Sequence, residues 1–349
     1  MKISKIQNTG YEYVASCKDE GAQYHGLIAI HSTTLGPALG GTRLWNYKSE
    51  GEALWDLLRL ARGMTYKNAL AGIPFGGGKS VIIATNGVAD RERLFRTHGR
   101  FIQMLSGNYI TAEDIGSTTV DMDYVGTETQ YVAGLNQRSG DPSPSTARGV
   151  VRAIQAAAKF RWGSDLLSGR SVAIQGCGNV GYHLASFLHN AGVRLVVSDV
   201  VIEKAKRVVR EFGARSVAPD QIHSEKVDIF APCGLGATIN EKTVSLLQAE
   251  IVAGSANNQL LSDHDGNALE ERGIVYVPDF AASAGGVING CIELLGWQPF
   301  EALRKVDEIY DTVLSILRTA RNRGIRTYQA ANELAEARLS QSGHTKNSG

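Results

Sequence analysis

Several marks of large protein classes are missing from this sequence. Its four cysteines, Cys17, Cys177, Cys233 and Cys291, fall without Cys-x-x-Cys spacing, which speaks against a zinc site and a disulfide framework. The eight histidines show no ligand spacing either, so no metal is expected. No run approaches the roughly 18 apolar residues of a membrane helix. The opening MKISKIQNTGYEYV has no apolar core of the kind a signal peptide carries. A cytoplasmic protein is the expectation, with no membrane association. Charge of one sign is lacking as well: the formal net charge is +1, which gives no electrostatic case for nucleic acid as a partner. The basic stretch RERLFRTHGR (91–100) reads as one face of a helix.

Glycine, by contrast, is plentiful, at 39 residues. The run AGIPFGGGKS (71–80) ends like a phosphate-binding loop, but that pattern needs a glycine five positions before Gly-Lys. Ile73 stands there. The order is also wrong, because a helical pattern precedes the run and the apolar Val81-Ile82-Ile83-Ala84 follows it. Lys79 therefore needs another explanation.

Residues 26–34, GLIAIHSTT, read as a strand. Residues 49–70 read as a helix, with Ser49 and Glu52 in capping-box spacing and Ala53, Leu54, Leu57, Leu58, Ala61 and Met64 recurring every three or four positions. Lys67 continues that stripe, an odd place for a lysine unless it snorkels. GDPSPS (140–145) is the clearest break, after which Thr146 starts a helix. From Ser171 strand and helix patterns alternate, which implies a parallel sheet with crossover helices. Two amphipathic helices, near 299–323 and 328–340, close the pattern.

GCGNVG (Gly176, Cys177, Gly178, Asn179, Val180, Gly181) follows the apolar strand SVAIQ and precedes a helix. The next strand ends in Asp199, 21 positions after Gly178, close to the spacing of a dinucleotide fingerprint. Its first glycine permits the turn, the second admits the pyrophosphate, and the third lets helix pack on strand. Asp199, with Glu203 nearby, suits the ribose hydroxyls and repels a 2′-phosphate, so NAD is expected rather than NADP.

LGPALGGTR (35–43), GMTYKNALAGIPFGGGKS (63–80), TAEDIG (111–116), GDPSPSTARGV (140–150), GCGNVG, APCGLGATIN (231–240), GSANNQL (254–260) and PDFAASAGGVIN (278–289) occur in this order. Together they resemble the glutamate/leucine/phenylalanine/valine dehydrogenase family over nearly the whole chain, nearest its leucine, phenylalanine and tryptophan branch. The resemblance implies an α/β fold: an N-terminal α/β substrate domain over 1–137, a Rossmann doubly wound NAD-binding domain over 138–324, and a cleft between them. A C-terminal helix near 325–340 would return to the first domain, and 341–349 would be a disordered tail. It implies oxidative deamination of an L-amino acid to a 2-oxo acid and ammonia, by a homo-oligomer, octamer or dimer.

The same resemblance assigns roles. Lys79 would be the general base, Asp114 its acidic companion in proton transfer, and Lys67 the holder of the substrate carboxylate. Gly40, Gly41 and Met64 would border the substrate. Thr146 would contact the nicotinamide carboxamide, Ala231, Pro232 and Cys233 would line the adenosine side, and Asn257 or Asn258 would reach ribose or substrate. Elementary chemistry agrees, since a free lysine titrates near ~10.4 and only burial and a neighbouring cation bring it low enough to act as a base. Lys67 is the expected cation.

Glutamate-specific relatives carry lysine where this chain has Leu39, and an apolar residue leaves a side-chain carboxylate without a partner. Leu39, Ala112, Val287 and Gly290 are the expected pocket walls. Gly290 departs from the valine of branched-chain relatives, which widens the pocket, whereas Ala112 is like them. A bulky apolar substrate follows, leucine- or valine-like before phenylalanine- or tryptophan-like. Two other readings compete: an alcohol or hydroxy-acid dehydrogenase, which would not use paired lysines, and a non-catalytic dinucleotide-binding protein, which would not keep Lys67, Lys79 and Asp114.

Overall fold

The glycine run is a strand and not a loop. In the computed structural model, Gly76–Ile83 is buried along its whole length in a mixed sheet, with Lys79 in its middle. The glycines are there for close packing. A Cβ on Gly77 would come within 2.0 Å of the Thr65 amide nitrogen, and one on Gly78 within 2.9 Å of the Tyr109 ring. The structure describes residues 1–84, 87–135 and 140–346, with side chains as far as 341.

The chain divides into two compact units, Met1–Asp141 with Gly290–Gln298 and Ala335–Gly349, and Pro142–Asn289 with Pro299–Leu334. The boundary expected at 137/138 lies outside the described residues. The first unit holds β1 (Lys2–Lys5), β2 (Tyr13–Asp19), β3 (Tyr24–Ser32), β4 (Ala38–Leu39), β5 (Thr42–Trp45), α1 (Glu50–Ala71), β6 (Gly76–Ile83), α2 (Arg91–Gln103), β7 (Tyr109–Ile110) and α3 (Thr119–Gly126). The strand order is β1-β2-β3-β6-β4-β7, with β5 also pairing with β6. β4 runs parallel to β6 at Gly76 and Gly77, and β5 does so from Ser80 to Ile83. Gly40 and Gly41, between β4 and β5, therefore stand where β6 changes partners, beside Gly78 and Lys79.

The α1 stripe packs as its periodicity predicts. Ala53, Leu57 and Ala61 join Val14, Leu27, Ala29, Val81 and Ile83 on one face of the sheet, while Ile28, Ile30 and Ile82 meet Phe95, Phe101 and Met122 on the other. Ser49 caps α1 by accepting the Glu52 amide, but Glu52 takes the Lys48 amide rather than closing a reciprocal box on Ser49.

The second unit contains α4 (Ser143–Trp162), β8 (Ser171–Gln175), α5 (Asn179–Asn190), β9 (Arg194–Ser198), α6 (Ile202–Phe212), β10 (Arg215–Ser216), β11 (Ile229–Pro232), α7 (Glu241–Leu246), β12 (Ile251–Val252), α8 (Asp263–Glu271), β13 (Val275–Tyr276) and α9 (Asp279–Ala282). Helix α10 (Gly285–Leu295) follows, and after it α11 (Pro299–Asp307), α12 (Ile309–Arg323) and α13 (Thr327–Lys346). All strand pairs here are parallel, in the order β10-β9-β8-β11-β12-β13. This is the doubly wound order, which reverses between β8 and β11.

Two sequence readings shift. Helix α4 begins at Ser143 instead of Thr146, because Pro144 falls in its first turn, where a missing N–H costs nothing. The polar stretch expected to be disordered from Gln341 continues α13 to Lys346, no proline intervening to stop it; 347–349 lie outside the described residues.

Candidate active site

Lys79 projects from β6 into a buried cluster of charges. Its Nζ lies 3.2 Å from Asp114 Oδ2, and the two side chains are only 4% and 12% exposed. The same Oδ2 accepts Arg43 Nε at 3.0 Å. Arg43 Nη1 reaches Asp56 Oδ2 at 2.9 Å, which also accepts the Tyr47 hydroxyl at 2.6 Å. The segment carrying Asp114 is laced to β5: Thr42 N donates to Ala112 O, Leu44 N to Ile115 O, and Ser117 Oγ to Thr42 O.

This arrangement sets the protonation states. Burial pushes the Lys79 ammonium towards losing its proton; Asp114 resists, and the Arg43 charge adds to the push, leaving Lys79 below the ordinary lysine range. Burial alone would raise the Asp114 carboxyl, but Lys79 and Arg43 outweigh it and hold it down to about 2. Asp114 is thus held towards the carboxylate form beside the Lys79 amine. Arg43, a residue the sequence did not single out, is a cation that acts on Lys79.

Gly40, Gly41 and Met64 meet at the same strand junction. Gly40 is pressed on the Gly78 carbonyl, where a Cβ would intrude to 1.8 Å and also meet Met64 Cγ at 3.3 Å. A Cβ on Gly41 would come to 2.4 Å from Glu113 O and 3.0 Å from Asp114 Cβ. Leu39 is buried in β4 and Ala112 half-buried after β7. Lys67 is buried near the end of α1, where its neighbour Asn68 donates Nδ2 to Gly76 O at 2.6 Å, fastening that turn to β6. Gly290, in α10, belongs to this unit.

In the second unit, β8 runs into the GCGNVG turn. Gly176 has φ +98°, and its missing Cβ would strike Gly234 at 2.7 Å; one on Gly181 would strike Gly176 O at 2.0 Å. Gly178 differs, since a Cβ there would meet nothing within 4 Å. It also begins α5 without a side-chain cap, leaving the first-turn amides to an outside acceptor. Asp199 Oδ2 accepts the Cys177 amide and Oδ1 the Val201 amide, each at 2.7 Å. Exposed Asn179 and half-buried Val180 lie over this turn. The cradle fits a dinucleotide pyrophosphate, with a carboxylate set at its edge.

Thr146 donates its hydroxyl to Pro142 O at 2.9 Å, which leaves its oxygen able to accept. Ala231 and Pro232 are buried in β11, and the residues reaching solvent just beyond half-buried Cys233 are Gly234, Leu235 and Gly236. Asn257 and Asn258 are half-buried; Asn258 takes φ +51° and accepts the Ala237 amide at 2.7 Å. Val287 is half-buried in α10. Among the described residues no cluster of three or more His, Cys, Asp or Glu could hold a metal ion, and no helix is long and apolar enough to cross a membrane.

Comparison with known proteins settles the class. Residues 12–131 match the Glu/Leu/Phe/Val dehydrogenase dimerisation domain, and 139–201 with 199–346 match the Glutamate/Leucine/Phenylalanine/Valine dehydrogenase domain. The chain belongs to this family. It is 51% identical over 343 residues to a leucine dehydrogenase of Thermoactinomyces intermedius, covering 97% of this chain and 94% of the relative. It is 40% identical over 341 residues to a phenylalanine dehydrogenase of Caldalkalibacillus thermarum, covering 95% and 92%. The crystal structure of L-tryptophan dehydrogenase from Nostoc punctiforme is similar with a TM-score of 0.82 at 46% identity, over 96% of this chain and 97% of that one. This family member is an amino acid dehydrogenase, an oxidoreductase that works with a nicotinamide dinucleotide. Arg43, Asp56 and Tyr47 were missed from sequence; the only signal was Arg43 closing the LGPALGGTR motif.

Proposed function

We propose that this chain carries out reversible, NAD-linked oxidative deamination of a bulky apolar L-amino acid, leucine- or valine-like in preference. The observation that carries the mechanism is Lys79 buried on the Asp114 carboxylate at the Gly40–Gly41 junction. Lys67 binds the substrate carboxylate, and Gly40, Gly41 and Met64 border the reacting carbon. Leu39, Ala112, Val287 and Gly290 wall the side chain. Leu39 offers no charge to a second carboxylate, which counts against glutamate as the main substrate.

When bound, the nicotinamide supplies the acceptor for the Cα hydride. Gly176 to Gly181 and the α5 amides would hold the pyrophosphate, Asp199 the adenosine ribose and Thr146 the nicotinamide carboxamide, with Cys233 at the adenosine side and Asn257 or Asn258 at a ribose or the substrate amino group. Water adds to the iminium carbon while neutral Lys79 takes its proton. That proton passes to the carbinolamine nitrogen; as the C–N bond breaks and ammonia leaves, Lys79 takes the hydroxyl proton and the C=O of the 2-oxo acid forms. Asp199 supports NAD over NADP, because its carboxylate would repel a 2′-phosphate. The match of residues 12–131 to a dimerisation domain supports a homo-oligomer, dimer or octamer.

A phenylalanine- or tryptophan-preferring enzyme is the second reading, favoured by the open space beside Gly290. A panel of L-amino acids at alkaline pH, with NAD and with NADP, tests both readings at the absorbance of the reduced nucleotide. Leucine and valine should lead, with NAD. A larger kcat/KM for aromatic substrates favours the second reading, and no reduction with any amino acid overturns both.

A further inference from the structure

Arg43 is part of the charge cluster but has no part in the reaction as described above. It lies on β5, its side chain only 12% exposed, and it divides its fork between two carboxylates. Nε goes to Asp114 Oδ2 at 3.0 Å and Nη1 to Asp56 Oδ2 at 2.9 Å. Each of those oxygens has a second donor within reach, Lys79 Nζ at 3.2 Å for Asp114 and the Tyr47 hydroxyl at 2.6 Å for Asp56.

Consider Lys79 with Asp114 alone. A buried carboxylate whose one cation is an ammonium binds that ammonium tightly, and loss of the proton would leave the carboxylate uncompensated. Such a pair makes a poor base. A guanidinium changes this, because it stays charged at every working pH and its planar fork suits two acceptors at once. With Arg43 in place, Asp114 keeps a cationic partner whether or not Lys79 carries its proton.

We infer that Arg43 is the positioning residue that lets Lys79 work as a base: by sharing one oxygen of Asp114 it keeps that carboxylate compensated while Lys79 gives up and regains a proton. Asp56 and Tyr47 hold Arg43 at its far end. The inference rests on Lys79 being the base. The charged groups that act on Lys79 include Asp114 from the segment after β7, Arg43 from β5 and Asp56 from α1; Tyr109 from β7 and Glu113 face Asp114, and β3 offers Ala29 as the strand partner, without charge. Arg43 pushes Lys79 towards the neutral amine, whereas Asp114 and Asp56 push it towards the ammonium.

The opposite signs of Arg43 and Asp56 give the test. The pH profile of kcat/KM for oxidative deamination is measured for wild type, Arg43→Gln, Arg43→Lys, Asp56→Asn and Lys79→Ala, with folding checked by circular dichroism. Arg43→Gln should move the acid limb alkaline by about one pH unit or more, which is about tenfold less neutral amine below the limb. Its deficit should narrow to a few-fold on the alkaline plateau. Arg43→Lys keeps a charge and should shift the limb less. Asp56→Asn should move it the other way, towards acid, and carries the test should Arg43→Gln fail to fold. An equal loss at every pH with an unmoved limb, or an alkaline shift in both Arg43→Gln and Asp56→Asn, would make Arg43 a structural bridge only and overturn the inference. Lys79→Ala separates the two proposals: full turnover there removes the base itself, whereas a dead Lys79→Ala beside an unmoved Arg43→Gln limb removes only the part given to Arg43.

Discussion

The backbone amide of Cys177 donates a 2.7 Å hydrogen bond to Asp199 Oδ2, so the acid at the end of β9 is fastened to the turn at the end of β8. With the Val201 amide on its other oxygen, the carboxylate is oriented before any ribose arrives. Replacing Asp199 by Ser removes the anion that discriminates against a 2′-phosphate. The NAD-to-NADP ratio of kcat/KM should fall at least about tenfold, which corresponds to about 1.4 kcal/mol. An unchanged ratio would remove Asp199 from cofactor selection.

The glycines of the turn should separate by what surrounds them. A Cβ at Gly178 meets nothing within 4 Å, whereas one at Gly181 would lie 2.0 Å from Gly176 O. Gly178→Ala should keep its melting temperature and raise the KM for dinucleotide. Gly181→Ala should lose about 1–3 kcal/mol of stability, the usual cost of overpacking. Thermal melts of both proteins, with dinucleotide titrations, decide the matter; a destabilised Gly178→Ala with unaltered KM would contradict it.

Lys79→Ala should lower kcat by about 10²–10⁴-fold, the range for a lost general base. In the wild type, burial and Arg43 depress the Lys79 amine. On the proposed role the neutral amine is the active form, so kcat/KM should climb with pH and level off below the ordinary lysine value of ~10.4. A rate independent of pH across the neutral and alkaline range speaks against Lys79.

Gly290→Val should fold normally, since the added Cβ enters open space. By narrowing the pocket it should raise the aliphatic-to-aromatic ratio of kcat/KM by about 10-fold or less, the scale of one or two methylenes. An unaltered ratio would take Gly290 out of the pocket.

His98 offers a stability test. Wholly buried, it bonds Tyr24 through Nδ1 and Thr42 and Ser80 through Nε2, and burial drives its pKa down to about 3. The unfolded chain binds this proton near pH 6.5 and the folded chain does not. Stability from this group is therefore complete above about 6.5 and drains away as pH falls towards about 3. Urea unfolding between pH 7 and 4 should show that loss, and it should shrink in His98→Gln; identical slopes would place the acid sensitivity elsewhere.

What could be read from the sequence followed from side-chain patterns. The α1 stripe, the cap at Ser49 and the βα turn at GCGNVG each rest on local spacing, and each stands where expected. The run from Gly76 to Gly78 carries no side-chain pattern, so its identity as a buried strand appears only once Thr65 and Tyr109 close on it. Helices α9 and α10 grow from small residues, AASAGGVING, which trace no apolar stripe. The part Arg43 plays was hidden for a different reason: its carboxylates lie 13 and 71 positions away, and nothing in the spacing of charges reports a contact made by folding.

Gly40 abuts the Gly78 carbonyl and Gly41 the Glu113 carbonyl, main chain against main chain, with no volume left for a methyl group. Evolutionary drift has little purchase on such a place, because any replacement would have to pry two segments apart. The backbone next to Lys79 therefore resists replacement, whereas Gly290, with nothing near its missing Cβ, leaves room for change. One chemistry could then be inherited unchanged while the choice of amino acid wandered.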